Sequence, residues 1–217
     1  MPTRLFSDLV NRLAPSVPGC PQPVMLTYIR DAAIDACERT LAWRYEQPDI
    51  RLTPGVYDYP FEPPDNTEVH AVLTVSVNGN RVDPATLEQV HARYPKYPDS
   101  STGEQSTPQY LVYIDPDTFY LAPPPDSTVD YDLRMIIALK PLRNVTGMDQ
   151  TIMDDLETVI MHGALQHLLV LPDRTWSDRE LAAYHAKQFI FKVTERRART
   201  NVGSGRATMT VRNVAFA

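Results

Sequence analysis

The sequence predicts an α+β fold: a helical bundle built from both ends of the chain, an antiparallel β module inserted between them, and an extended C-terminal tail. Three observations carry this. Apolar residues recur at steps of three and four towards both ends, the spacing of one buried helix face. Between Gln47 and Leu139 the pattern changes to short or alternating apolar runs separated by turn residues. After the last helical pattern, Gly203-Ser204-Gly205 breaks the chain ahead of a strand-like end. The expected bundle takes residues 1–48 and 148–202, the β module 49–147, and the tail 203–217.

In chain order, Thr3 to Ala14 reads as a short amphipathic helix with Leu5, Leu9 and Leu13 at steps of four. Pro15 to Pro23 is a proline-stiffened loop. A second helix runs from about Pro23, a suitable first-turn residue, to Trp43. Its apolar stripe is Ile29, Ala32, Ala33, Ala36, Cys37, Thr40 and Leu41, and so many alanines imply close approach of another helix. Ile50–Leu52 and Tyr57–Phe61 are strand candidates around Thr53-Pro54-Gly55. Glu68 to Val77 reads as a strand closed by the hairpin turn Asn78-Gly79-Asn80, whose residues tolerate positive φ. Pro84 to Tyr94 reads as a short helix and Pro95 to Pro108 as a polar loop. Gln109–Asp115 and Thr118–Leu121 form a hairpin around Asp115-Pro116-Asp117, and Val129 to Leu139 is the longest strand-like run.

The stretch from Asp154 to Arg199 holds two helical patterns joined by Pro172-Asp173-Arg174-Thr175-Trp176. Leu156, Val159, Ile160, Ala164, His167, Leu168 and Leu171 mark one buried face; Ala182, Ala186, Phe189 and Val193 mark the other. Ser177 followed by Glu180 has the form of a capping box. So short a connection makes the helices antiparallel neighbours.

Composition restricts function. The chain has 217 residues with 43% apolar and 22% charged, enough for a real core and ordinary for a soluble globular protein. No run approaches eighteen uninterrupted apolar residues, so no membrane span is expected. The N-terminal segment is a poor signal peptide. Two cysteines, Cys20 and Cys37, are too few for a disulfide framework, and an intracellular, reduced setting is expected. The formal charge of −6 is uneven. Residues 187–217 hold seven basic residues and one acid, +6, leaving −12 on the rest. A basic end on an acidic body suggests that the end has its own partner.

Catalytic patterns are absent from the sequence. His162 and His167, five apart on one helix, point away from each other and cannot share a metal; His70, His91 and His185 stand alone. Asp154, Asp155 and Glu157 are expected to offset the positive end of a helix dipole. Asp115-Pro116-Asp117 lacks the glycine and glutamate that would bend and close a calcium loop, and reads as a turn. No phosphate-binding glycine loop, nucleophile elbow or CxxC occurs. No cofactor is expected. Lys192, Arg196 and Arg199 share one helix face at steps of four and three, suited either to local ion pairing or to contact with an acidic partner or nucleic-acid phosphates.

Three segments carry a resemblance: CPQPVMLTYIRDAAIDACERTLAWR from Cys20, PQYLVYIDPDTFYLAPPPD from Pro108 with a strand ending Lys140-Pro141, and GALQHLLVLPDRTWSDRELAAYHAKQF from Gly163. In this order and spacing they resemble the head-to-tail adaptor proteins of tailed bacteriophages, including the upper tail tube proteins of short-tailed phages. The resemblance covers most of residues 20–200 and does not extend over the Pro95–Pro108 loop or the tail. It implies a non-enzymatic, ring-forming virion protein, twelvefold in the family, made in the host cytoplasm and placed in the neck. The implied partners are the portal protein, a downstream tail or nozzle protein, further copies of the chain, and genomic DNA passing through the lumen without sequence specificity. Within this picture the tail residues Arg206, Thr208, Thr210, Arg212 and Phe216 are expected to contact the portal; folding back on the β module is the alternative path. Lys192, Arg196 and Arg199 are candidates for portal or DNA-channel contact. The competing functions are an intracellular module binding a small ligand or peptide, and an enzyme of unknown type.

Overall fold

A computed structural model describes residues 2–98 and 104–202. The chain enters through strand β1 (Thr3–Leu5), helix α1 (Ser7–Leu13) and helix α2 (Gln22–Thr40). Then follow β2 (Arg44–Arg51), β3 (Asp58–Pro60), β4 (Thr67–Val77), β5 (Asn80–Arg81), β6 (Asp83–Pro84) and helix α3 (Leu87–Arg93). Strands β7 (Tyr110–Tyr113), β8 (Thr118–Ala122), β9 (Asp132–Pro141) and β10 (Gly147–Asp149) lead into α4 (Gln150–Leu168) and α5 (Arg179–Val202). Two compact units result: Met1–Ala42 with Thr146–Ala217, and Trp43–Val145. The fold is mixed α+β, as the sequence predicts.

In the helical unit α2 packs against α4 and α5, and α4 against α5. The stripe predicted for α2 is buried from Ile29 through Cys37 to Thr40. The alanines explain how close the helices come. A Cβ added to Gly163 of α4 would lie 3.0 Å from Ala32 Cβ and 3.0 Å from the Phe189 ring, so any side chain there requires α2 or α5 to give by a few tenths of an ångström. Helix α2 stops at Thr40 because Leu41 turns left-handed (φ 52°), its N–H donating to the Cys37 carbonyl at 3.0 Å.

Three local readings differ. The first predicted helix starts only at Ser7; Thr3–Leu5 pairs with β10, and Phe6 donates its N–H to Thr146 O at 2.9 Å. Leu5 therefore lies exposed, and Phe6, outside the four-residue period, is the buried anchor. Helix α5 is capped by Asp178, whose Oδ1 accepts the Leu181 N–H at 2.9 Å, while the Ser177 hydroxyl donates back to Leu171 O. Asp154, Asp155 and Glu157 do not open a helix. The helix starts at Gln150, capped by Asp149, and the three acids lie further along it, paired with arginines.

The β unit holds two four-stranded sheets, ordered β2-β9-β4-β5 and β3-β8-β7-β6. All pairings are antiparallel except the short β6–β7 pair. Strand β2 is longer than the sequence suggests, reaching back to Arg44; Pro48 falls at a register shift on this edge strand, where its missing donor costs little. The predicted hairpin at Asn78-Gly79 forms, both residues with positive φ. The predicted short helix becomes α3, fixed by a capping box of Thr86 and Gln89. The second sheet buries an aromatic core: Phe119 lies 4.9 Å from the Phe61 ring and 5.8 Å from Tyr59.

The β7–β8 turn forms where the sequence puts it, and its shape comes from Asp115. One carboxylate oxygen accepts the backbone N–H groups of Asp117 (3.0 Å) and Thr118 (2.9 Å), and the other accepts the Thr118 hydroxyl (2.8 Å). The Thr118 bond, together with the backbone donors, holds the Asp115 carboxyl below its ordinary pKa.

Candidate functional site: charged helix faces of the helical unit

Lys192, Arg196 and Arg199 do share one face of α5, and the structure places acids against them. Arg196 reaches across to α4, bonding the Asp155 carboxylate and, at 2.5 Å, the Asp155 carbonyl. Lys192 Nζ lies 3.1 Å from one Glu195 oxygen, and Arg199 lies 2.5 Å from the other. Lys192 above all, with Arg199 and Arg196, holds Glu195 below its usual range. With Thr158 and Val159 these groups line a shallow groove of ≈ 220 Å³. The face is therefore ordered and only partly neutralised: three cations against two acids. Such bridging contacts fix side chains that would otherwise lose entropy on binding.

A second network is built on neighbouring acids of the same stretch of α4. Arg4 of β1 bonds Asp154 at 2.5 Å and Glu157 at 2.8 Å, and Arg12 of α1 bonds the other Glu157 oxygen. Arg4 is mostly buried, so these pairs tie β1 and α1 to α4.

The histidines contain the pair that sequence reading missed. His162 and His185 are 23 positions apart, yet their Nδ1 atoms lie 2.8 Å apart where α4 and α5 pack. One ring must donate and the other accept, so at least one is neutral. Desolvation lowers both pKa values; for His162 the charges of His185 and Lys192 add to it. The Tyr184 ring stands edge-on to His185 at 5.3 Å. The unfolded chain thus takes up protons near 6.5 before the folded one does. Stability contributed by the neutral pair is complete above about pH 6.5 and falls as the pH drops through the folded-state values. The expected result is a urea midpoint that declines as the pH falls below about 6.5, with a shallower decline in His162→Gln. His167 instead stacks on Tyr28 at 6.3 Å.

Tail residues Arg206, Thr208, Thr210, Arg212 and Phe216 lie outside the described residues. Among the described residues no group of three or more His, Cys, Asp or Glu is placed to hold a metal, and no helix is long and apolar enough to cross a membrane. Cys37 is wholly buried and its thiol is pushed up to about 12, the state of a core residue rather than a nucleophile.

Helices that pack closely and are cross-tied by ion pairs make one unit, antiparallel sheets make the other, and each has the architecture of a structural scaffold. Residues 4–213 match the family described as SU10 adaptor protein, a phage head-to-tail adaptor family, and the chain belongs to it. A comparison with curated proteins returned no match. Membership makes this a phage structural adaptor and implies interaction with portal and tail proteins at the virion neck.

Proposed function

We propose that copies of the chain form a ring, twelvefold as in the resemblance described above, joining the portal to the tail and passing DNA through its lumen. Family membership supports the adaptor role, and the observation that best supports a ring is the rigidity of the helical unit. A ring needs a stiff wedge presenting unlike faces to its two neighbours. Three helices meet around Gly163, Arg196 ties α5 to α4, and Arg4 and Arg12 tie β1 and α1 to α4; together they supply stiffness. The protein works by contact rather than catalysis on this reading, and the small-ligand alternative is not favoured.

The charge distribution suits DNA passage. Each fixed phosphate contact adds salt-dependent drag, and a body of net −12 limits such contacts. The basic end then meets protein: the tail, through Arg206, Thr208, Thr210, Arg212 and Phe216, engages the portal, and Lys192, Arg196 and Arg199 flank that contact. Deleting residues 203–217 is expected to abolish co-sedimentation with portal while leaving the thermal transition of the subunit unchanged. A truncated chain that still joins portal and tail contradicts the tail assignment.

A further inference from the structure

The helical unit carries an apolar groove rimmed by cations, and the β unit carries an exposed apolar turn flanked by acids. On the helical unit, Arg39 of α2 and Ile190, Val193, Thr194, Arg197 and Ala198 of α5 line an open groove of ≈ 440 Å³. Its floor is apolar: Ile190 is 61% exposed, an unusual cost for an isoleucine on a helix with a buried face available. Two guanidiniums rim it. Arg39 lies over the Phe189 ring at 5.6 Å and bonds Asp35. Arg197 is exposed, and among the described residues no ion pair or hydrogen bond engages it.

On the β unit, the β7–β8 turn presents the converse. Ile114 is 59% exposed at the tip, beside Asp115, Pro116 and Asp117. The turn is rigid, because Asp115 is held by three hydrogen bonds and the following residue is proline. Asp117 is exposed, and no ion pair engages its carboxylate among the described residues. Glu62, Asp65 and Glu68 lie on the neighbouring segment that leads into and begins β4, so this part of the sequence is acid-rich.

We propose that the β7–β8 turn of one copy seats in the α2/α5 groove of the next, Ile114 against Ile190 and Val193, Asp117 against Arg197. Apolar burial at the centre with a charged rim is the anatomy of a specific interface, and a preformed turn loses little entropy on docking. The joined surfaces are unlike, so the contact is heterologous: it propagates from copy to copy and closes into a ring when the rotation allows. The inference rests on the ring reading and supplies its subunit contact.

The test uses full-length chains assembled on portal. Pro116→Cys and Ala198→Cys in one chain leave all five proposed contact residues (Ile114, Asp117, Ile190, Val193 and Arg197) in place, and native Cys20 and Cys37 are buried. A short bismaleimide is expected to give a ladder of covalent multimers from the double variant and none beyond dimer from either single variant. Arg197→Asp or Asp117→Arg alone is expected to lower the assembled fraction roughly tenfold or more, and the two together to restore most of it. Rings visible by microscopy without a ladder, or a product that stays monomeric, overturn the inference and leave the ring reading intact. Wild-type assemblies with no ring at all overturn both.

Discussion

Gly163→Leu is expected to unfold the helical unit or leave it loosely packed. Position 163 lies where α4 meets Ala32 of α2 and Phe189 of α5, and even a single Cβ there is at 3.0 Å from both. Leucine adds three more carbons with no solvent-facing way out. Overpacking usually costs about 1–3 kcal/mol, and more where backbones must separate. Three helices have to separate here, so a loss of about 3 kcal/mol or more is expected, against a total stability of roughly 5–15 kcal/mol for such a protein. Gly163→Ala should lose less, because alanine's better helix propensity offsets about 1 kcal/mol of the clash. The chain's two tryptophans fall one in each unit, so Trp176 alone, in a Trp43→Phe background, reports on this unit. An unchanged urea midpoint in Gly163→Leu would mean that the helices are not this close.

The second large effect is in the β unit. Phe119→Ala removes a fully buried ring from between Tyr59 and Phe61 on β8, which has strand neighbours on both sides. Truncating a core phenylalanine costs about 3–5 kcal/mol, the lost transfer energy plus the cavity left behind. Trp43, buried and in the same unit, is the reporter. Ile190→Ala is the control: at an exposed site it should change stability by less than about 0.5 kcal/mol. A similar loss in both variants would contradict the assignment of core and surface.

How far the sequence could be read followed from the range of the interaction involved. The stripe of α2, the Asn78-Gly79 turn, the Asp115 turn and the α4–α5 hairpin are set by residues within a few positions of one another, and each appears as expected. What escaped depends on partners distant in sequence. Arg4 meets Glu157 and Arg196 meets Asp155, so the acidic cluster looked like a dipole effect when it is a tie between elements. His162 and His185 lie on separate helices, and no spacing rule connects them. Leu5 fell on a helical period that strand pairing with β10 overrides, and Phe6 was hidden by the same period. At the α5 start, Asp178 and Ser177 are both good caps, and only the path of the chain decides between them. Of the candidate site, the shared face of Lys192, Arg196 and Arg199 was legible from helical spacing. Its neutralisation by Glu195 was legible in part, since Arg199 stands four residues on.

The central claim is that stiffness and surface pattern serve assembly between portal and tail. Electron microscopy of the purified chain mixed with the portal tests it most directly. The account predicts a closed ring stacked coaxially on the portal and absent when either component is omitted or the tail is deleted. Portal particles that stay bare, beside a chain that remains a free monomer at every ratio, would contradict it.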